Sequence, residues 1–289
     1  MSEVAICIPE KTFILHGVDD DLRNDGRSYL DYRPLAIETG ILPQPNGSCR
    51  VRLATSDILV ATKLELEQPD KNSSKEGKIE FFVDCSANAT PEFEGRGGNE
   101  FGNLIAQHLS RAYGHPSVLD LETLCVVPEK YSWKIFVDIL ILQCGGNLFD
   151  AVSLAVKGAL FNTEIPKISV TSVDGGEPEL EVSDDPKNVW RLPSELFPCL
   201  VTLCMIGDNC IVDPTAEEEA CSKVAFVFGV TENKRIVATR KMKGGSISPE
   251  SLAKALEVAG NLGEVLNKAL MDKLHREERK GGKRLGFLS

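Results

Sequence analysis

The alternation of apolar and polar positions predicts a chain built from two runs of strands, each followed by a helix. Period-two alternation or short apolar runs predict strands in the first part at 47–53, 58–64, 79–85, 119–127, 131–143 and 165–173. The first two form a hairpin whose turn is at 54–57. Beyond Ile139 the strand over 131–143 is apolar on both faces, which is typical of a central strand covered by helices.

Apolar residues at three- and four-residue spacing predict the helices. A helix is predicted over 10–21, and a second follows Gly95-Arg96-Gly97-Gly98 with Phe101, Leu104, Ile105, His108, Leu109 and Ala112 on its apolar stripe. A third runs from Phe149 to about Asn162. The last begins at Ser248 with Pro249 in the favoured first position and frays into the basic cluster 273–280, which we expect to be solvated.

A shift in composition divides the chain. The acidic stretch 177–185 is predicted to be an exposed loop or edge, and 186–197 a linker. Strands are predicted beyond it at 199–206, 209–212, 223–231 and 234–240. We therefore expect an α+β fold of mixed sheets covered by helices, with one domain over 1–190 and a second over 191–289.

Composition narrows the class of protein. The chain has 289 residues, 42% of them hydrophobic, which is enough for a substantial core. Its net charge of −11 argues against a protein that binds nucleic acid alone through a basic surface. No apolar run approaches the roughly 20 residues of a membrane span, and the N-terminus lacks the features of a signal peptide. The nine cysteines include no Cys-x-x-Cys pair, so we expect unpaired thiols in the cytosol or nucleus.

A glycine-led turn between a strand and a helix is the strongest candidate site. Gly145 and Gly146 follow the strand over 131–143 and precede Asn147, Leu148 and the third helix. Backbone N–H groups at a helix N-terminus favour an anion, so such a turn can hold phosphate. None of the side chains beside these glycines is cationic.

Other candidate sites have competing structural interpretations. Asp213 with Glu217-Glu218-Glu219 could hold a divalent metal or act as a general acid, but Thr215 and Glu218 also fit a helix-capping box, which we favour. The residues between Arg23 and Arg33 predict a salt-bridged knot at the N-terminal arm rather than a ligand site. Gly95-Arg96-Gly97-Gly98 misses the dinucleotide fingerprint, and His108 is predicted to be a core residue. No metal or cofactor site is predicted.

Several motifs, in this order, resemble the RNase PH family, in the form found in ring subunits of the eukaryotic RNA exosome. They are Arg23-x-Asp25-Gly26-Arg27, the hairpin 47–63, Phe81-Phe82-Val83-Asp84-Cys85-Ser86, the segment from Ala89 to Gly98, Cys144-Gly145-Gly146-Asn147-Leu148-Phe149-Asp150-Ala151, Val212-Asp213-Pro214-Thr215 with Glu218-Glu219, and Gly286-Phe287-Leu288. Each motif alone is weak, but together they cover nearly the whole chain.

The resemblance implies two βαβ-rich domains and a place in a six-membered ring of RNase PH-like chains. The ring surrounds a channel for single-stranded RNA, and RNA-binding cap subunits sit on one face. Active family members cleave RNA from its 3′ end with phosphate as the attacking group. The resemblance also implies a role in rRNA processing and RNA turnover in the nucleus, including the nucleolus, and in the cytoplasm.

The chain departs from the pattern of active members at two places. Active members have Ser or Thr followed by Arg after the glycines, where this chain has Asn147 and Leu148. They also carry a second aspartate six residues after the first, where this chain has Glu219 after Asp213. Because Leu148 can neither neutralise nor hydrogen-bond a phosphate, we expect no catalysis.

Two enzymatic alternatives to a non-catalytic structural and RNA-path subunit remain open. The chain could be a phosphate-dependent 3′–5′ exoribonuclease that uses Asp213 and Glu219. It could be a small-molecule kinase of a related fold, although no Gly/Ser-rich ATP loop is present. In the RNA-path interpretation, Arg96 and Arg111 are candidates for RNA-phosphate contacts, and surface ion pairs are the alternative for both. These arginines flank the second predicted helix, the one that follows Gly95-Arg96-Gly97-Gly98.

Overall fold

Two β-sheets enclose one buried helix in the computed structural model, which describes residues 6–69, 73–171, 179–182, 185 and 188–279. The helices are α1 (Ile8–Asp19), α2 (Gly97–Tyr113), α3 (Leu148–Phe161), α4 (Ala216–Cys221) and α5 (Pro249–Arg279). The strands are β1 (Leu35–Thr39), β2 (Gly47–Leu53), β3 (Ser56–Glu67), β4 (Lys78–Cys85), β5 (Cys125–Val127), β6 (Tyr131–Gln143), β7 (Ile165–Pro166), β8 (Ile168–Thr171), β9 (Glu179–Val182), β10 (Val189–Trp190), β11 (Cys199–Ile206), β12 (Asn209–Val212), β13 (Val224–Val230) and β14 (Ile236–Lys241).

The larger sheet is mixed, with strand order β1-β2-β3-β6-β4 and β5 paired to β6. Only the β4–β6 pairing in it is parallel. The smaller sheet is antiparallel, in the order β12-β11-β13-β14. This mixture of sheets and covering helices confirms the predicted α+β class.

Helix α3 lies between the two sheets and positions the candidate site at its N-terminus. It packs on β2 and β3 of the larger sheet and on β11 of the smaller one. All 14 of its residues are buried, polar ones included. The largest hydrophobic cluster runs through it from one sheet to the other. The domain boundary at residue 190 stays a prediction, because the core is continuous across it.

The prediction that helices cover both faces of β6 was wrong. Ile135, Val137, Ile139 and Ile141 are buried under α2 and α3, whereas the alternate residues point to the opposite face. On that side Phe82 is 50% exposed and its ring stacks on Phe136 with 6.1 Å between centroids. We call this apolar surface the open face; it consists of Leu59, Ala61, Phe82, Phe136 and Leu140.

Several other bounds differ from prediction, and β1 was not predicted. Residues 121–124 form a 3₁₀ turn, because the Asp120 carboxylate accepts the Glu122 N–H and thereby fixes a local turn instead of a strand. The predicted linker contains β10, which pairs with β7. Helix α5 continues to Arg279 instead of fraying, since Leu270, Met271 and Leu274 are buried in the core. The residues at 280 and beyond, including Lys283-Arg284, lie outside the described residues.

Two glycines of α5 provide a matched test of how this helix packs. A Cβ on Gly263 would lie 2.4 Å from the Cβ of Val230, whereas one on Gly260 would come no closer than 3.9 Å to the Lys234 carbonyl oxygen. We expect Gly263→Ala to lower the free energy of unfolding by about 1–3 kcal/mol through overpacking. Gly260→Ala should be neutral or raise it by up to about 1 kcal/mol. Urea unfolding of both variants measures the difference; equal effects would contradict this packing.

No helix in the described part of the chain combines the length and the apolar character needed to cross a membrane.

Candidate functional site

The glycine-led turn adopts a backbone conformation that favours Gly at one position and Asn at the next. Gly146 has φ of +90°, and Asn147, the N-cap of α3, has φ and ψ of 52°. A Cβ on Gly146 would lie 2.5 Å from the Ala216 nitrogen and 2.6 Å from the Thr215 carbonyl carbon. Glycine therefore lets the start of α4 approach the turn, and Asn tolerates the left-handed conformation that follows.

The N-terminus of α3 is occupied by a carboxylate of the same chain. The Asn147 N–H donates to Oε1 of Glu219 at 2.8 Å, and Glu219 is only 7% exposed. Burial raises the pKa of Glu219, although the hydrogen bond from the Asn147 N–H opposes that shift. A carboxylate is the kind of anion that a helix N-terminus stabilises. The Glu219 carboxylate is therefore the acceptor for the backbone N–H that leads into α3, and phosphate binding at this turn stays a prediction.

Asp213 is fully buried and held by cations and an amide. Nε and Nη2 of Arg33 donate to its two carboxylate oxygens at 2.9 and 2.7 Å, and the Arg33 backbone N–H donates at 2.8 Å. Nδ2 of Asn147 adds a bond of 2.7 Å, and Arg27 lies at 3.2 Å. Burial alone would raise the pKa of Asp213, but the hydrogen bonds and charge of Arg33, together with Asn147, outweigh it and lower that pKa.

The same arginine orients the glycine turn. Nη1 of Arg33 donates to the Gly145 carbonyl oxygen at 2.7 Å, and Nη2 to that of Gly146 at 3.1 Å. Nearby, Arg23 pairs with Glu218 at 2.5 Å. These contacts confirm the predicted salt-bridged knot and extend it to the acidic segment after β12.

The capping interpretation of that acidic segment is also confirmed. Thr215 is the N-cap of α4: its hydroxyl accepts the Glu218 N–H, and the Glu218 carboxylate accepts the Thr215 N–H. In the described ranges no group of three or more His, Cys, Asp or Glu side chains could hold a metal ion. All nine cysteines are unpaired, as expected.

Asp150 forms a second buried polar centre one turn into α3. Its carboxylate accepts hydrogen bonds from the Tyr32 hydroxyl (2.9 Å), the Thr202 hydroxyl (2.6 Å) and Nδ2 of Asn147 (2.9 Å). Burial raises the pKa of Asp150 to about 7, against the hydrogen bonds from Thr202 and Asn147. Through this group the N-terminal arm, α3 and β11 share one hydrogen-bond network.

The elevated pKa of Asp150 predicts a pH-dependent stability. The folded state keeps this proton up to about pH 7, whereas the unfolded chain loses it near pH 4. The protonated Asp150 therefore makes its full contribution to the free energy of unfolding below pH 4. This contribution falls as pH rises to about 7, by up to about 1.4 kcal/mol per pH unit. The difference in unfolding free energy between the wild type and Asp150→Asn should fall across pH 5–7 and be constant above pH 8. A pH-independent difference in urea unfolding would refute the assignment.

Leu148 belongs to the core. It is 4% exposed and lies beside Phe93, Phe101 and Phe149. The cavity that these side chains enclose with Glu219 measures about 20 Å³, room for about one water molecule. A phosphate ion does not fit at this position without rearrangement of the core.

Arg96 and Arg111 lie at opposite ends of α2 and not in the glycine-led turn before α3. Arg96 precedes the first turn of α2 and Arg111 lies in its last turn, so about 22 Å of helix separates them. Both are exposed, and neither forms an ion pair with any described residue. Their contact with RNA stays a prediction. His108 is buried on the apolar stripe, and its ring meets Phe149 edge-on at 6.0 Å. The prediction of a core histidine is confirmed.

Sequence reasoning missed the role of three residues in this site. Arg33 was placed only in a local knot, because nothing in the sequence connects it to Asp213, which is 180 positions away. Tyr32 and Thr202 carried no signal. Asp150 did carry one: it is the single carboxylate in a largely apolar helix, and a buried carboxylate requires hydrogen-bond partners.

Comparison with known proteins gives matches over most of the chain. Family models for domain 1 and domain 2 of the RNase PH 3′ exoribonuclease family match residues 31–166 and 197–261. A putative exosome complex exonuclease RRP42 of Dictyostelium discoideum is 32% identical, over 93% of this chain and 97% of its own. The exosome complex component Rrp42 of Pyrococcus furiosus is 30% identical, over 92% and 94%.

A solved structure supports the same relation. A chain of the Archaeoglobus fulgidus exosome, described as having RNA bound to the active site, superposes with a TM-score of 0.75 at 26% identity. The match covers 90% of this chain and 96% of that one.

Proposed function

Because this chain belongs to the RNase PH family of 3′ exoribonucleases, we propose that it is a ring subunit of an RNA exosome core and does not itself cleave RNA. In this role it helps to form the channel that guides RNA to 3′–5′ processing and degradation. The observation that supports the lack of catalysis is the hydrogen bond from the Asn147 N–H to Glu219. The position where phosphate would bind is filled by the chain's own carboxylate.

Both acidic residues are committed to internal contacts, which counts against the alternative of an active phosphorolytic enzyme. Asp213 is fully buried and bonded by Arg33, and Glu219 lines, together with Leu148, a cavity with space for about one water. A general acid must reach the leaving oxygen within hydrogen-bond distance. Both carboxylates are buried among the described residues, and Leu148 supplies no positive charge to an attacking phosphate.

Assembly with other RNase PH-like subunits is supported by the open face. Leu59, Phe82, Phe136 and Leu140 form an apolar surface that no other part of the described chain covers, with the exposed carboxylates of Asp84 and Asp138 beside it. An apolar patch with polar neighbours is typical of a protein–protein interface. We assign it to a neighbouring ring subunit.

A charge on this face should prevent assembly. We expect Phe82→Glu to lose co-purification with RNase PH-like subunits, because an unpaired carboxylate would be buried at the contact. Val170→Glu, which changes another exposed apolar residue on β8, is the matched control and should assemble normally. Affinity purification of the tagged chain from its own cells, followed by mass spectrometry, measures both. Recovery of the wild type as a monomer would refute the proposed membership of a ring.

The proposed ring also has further binding partners and a cellular location. RNA-binding cap subunits are expected on one face of the ring, with single-stranded RNA in its channel. The chain is expected in the nucleus, including the nucleolus, and in the cytoplasm. Fluorescence microscopy of a tagged chain expressed from its own promoter tests the location.

A further inference from the structure

Exposed apolar side chains are concentrated in the N-terminal arm. Eight large apolar residues are exposed in the described chain, and four of them lie within the first 30 residues. They are Ile8, Phe13, Leu22 and Leu30. Single apolar residues on a surface are ordinary, whereas a local group of them marks an interaction site. The arm therefore presents an apolar surface of its own, separate from the open face.

Helix α1 packs on the smaller sheet through a narrow stripe. Its two buried residues, Ile14 and Val18, lie one turn apart and join an apolar cluster with residues of β11 and β12. Phe13 precedes Ile14 by one position, about 100° around the helix, so its ring points away from this stripe and is 67% exposed. Pro9 lies one turn before Phe13 and shares its face. Helix α1 thus has a second apolar edge that no other part of the described chain buries.

A groove with a volume of about 460 Å³ lies along this edge, between α1 and α4. Its apolar wall includes Pro9, Phe13 and Ile14, and its polar wall is formed by Glu10, Asn24 and Glu217. This volume is within the range of protein sites that bind ligands, about 300–1,000 Å³. Among the described residues that line the groove, two are carboxylates and none is cationic.

Both carboxylates of the groove are available to a partner. Glu218 and Glu219 have buried hydrogen-bond partners, whereas the adjacent Glu217 is exposed and forms no ion pair with any described residue. Successive helix positions point about 100° apart, so α4 turns Glu217 outward. Glu10 is exposed as well, and the Cys7 N–H, 2.9 Å from its Oε2, lowers the pKa of its carboxyl group. The groove therefore combines an apolar wall with two negative charges.

We propose that this groove binds a peptide segment of a partner protein in which a bulky apolar side chain lies next to Arg or Lys. The apolar side chain covers Pro9 and Phe13, and the cation pairs with Glu10 and Glu217. Charge complementarity selects this occupant, because carboxylates pair with guanidinium and ammonium groups and repel an acidic segment. Because α1 packs on the smaller sheet and the open face belongs to the larger one, the groove does not depend on the proposed ring.

Fluorescence anisotropy of the full chain with three labelled octapeptides tests the chemistry of the occupant. GGRFLRGG carries both required features, GGEFLEGG reverses the charge, and GGRAARGG lacks the bulky side chains. We expect saturable binding of the first peptide and at least about tenfold weaker binding of the other two. Equal binding of the first and second peptides, or no binding of the first, would overturn the proposal.

Matched variants test whether the peptide binds in the groove. Phe13→Ala should weaken binding of GGRFLRGG about tenfold, as truncation of an interface anchor does. Glu217→Gln should weaken it about threefold, as expected for an exposed ion pair. Val265→Ala, at a side chain that is 63% exposed, and Glu257→Gln, both on α5, should change it less than about twofold. All four side chains are exposed, so the variants keep the fold. Equal losses in Phe13→Ala and Val265→Ala would overturn the site.

Other occupants of the groove give different results. Val4→Asp and Arg284→Glu alter the two ends of the chain, which lie outside the described residues. A gain of about tenfold in peptide affinity in either variant would show that the chain covers the groove itself. Dimerisation of the wild type that Phe13→Ala abolishes, measured by sedimentation velocity, would show that a second copy binds there. Either result would overturn the assignment to a partner peptide, and unchanged affinity with a monomeric wild type supports it.

Discussion

Arg33→Ala is expected to lower the free energy of unfolding by about 3 kcal/mol, because it removes the closest charged partner of the buried Asp213 carboxylate and leaves the longer contact to Arg27, at 3.2 Å, and the Asn147 amide. The arginine bonds both carboxylate oxygens of Asp213 and the carbonyl oxygens of Gly145 and Gly146. One substitution thus removes the cation that pairs with a buried anion. It also removes the hydrogen-bond donor to two backbone carbonyl oxygens. The turn before α3 should lose its fixed conformation at the same time.

The matched control is a surface arginine with similar bonding geometry. Arg50 forms a two-bond contact with Asp57, at 2.9 and 2.6 Å, but 31% of its side chain is exposed. Arg50→Ala should cost no more than about 1 kcal/mol, because solvent screens the pair. Urea unfolding of both variants gives the comparison. Similar losses in the two would show that Asp213 does not depend on Arg33.

Leu148→Ala is expected to lower the free energy of unfolding by about 2–5 kcal/mol, because Leu148 is a buried core residue. The Leu148 side chain lies among phenylalanine rings and is 4% exposed. Truncation would enlarge the adjacent cavity, whose volume is now about 20 Å³. RNA binding per folded molecule should be unchanged, since Leu148 does not reach the surface.

Leu22→Ala is the control for this substitution. It removes the same atoms from a side chain that is 63% exposed, and should change stability by less than about 0.5 kcal/mol. Chemical unfolding gives the stability, and crosslinking to labelled RNA gives the binding. Unchanged stability of Leu148→Ala combined with altered RNA crosslinking would contradict the packing role.

The elements that local pattern determines could be predicted from the sequence. Strands 199–206 and 209–212 have their predicted bounds, because largely apolar runs end at turn residues. The glycine-led turn into α3 was also predicted, since paired glycines after a strand and before an apolar helix mark that junction. Where one polar side chain competed with the pattern, as Asp120 does at 121–124, the prediction failed.

The occupant of the anion site could not be predicted in the same way. Asn147 and Glu219 are 72 positions apart, and only the packing of α4 against the glycine turn brings them together. Periodicity likewise gave the buried side of β6 correctly but not its open face, because α2 and α3 both pack on the same side of the sheet. Sequence patterns report local preference, whereas these contacts depend on how the two sheets enclose α3.

Phosphorolysis by the purified full chain tests the central claim most directly. The chain is incubated with oligoadenylate and inorganic phosphate, and release of nucleoside diphosphate is followed over time. Glu219→Gln, in which the carboxylate is lost and the side-chain size is kept, serves as the matched control. We predict no phosphate-dependent release from the wild type above that of the variant. Phosphate-dependent release that disappears in Glu219→Gln would show that this carboxylate is catalytic and would contradict the account.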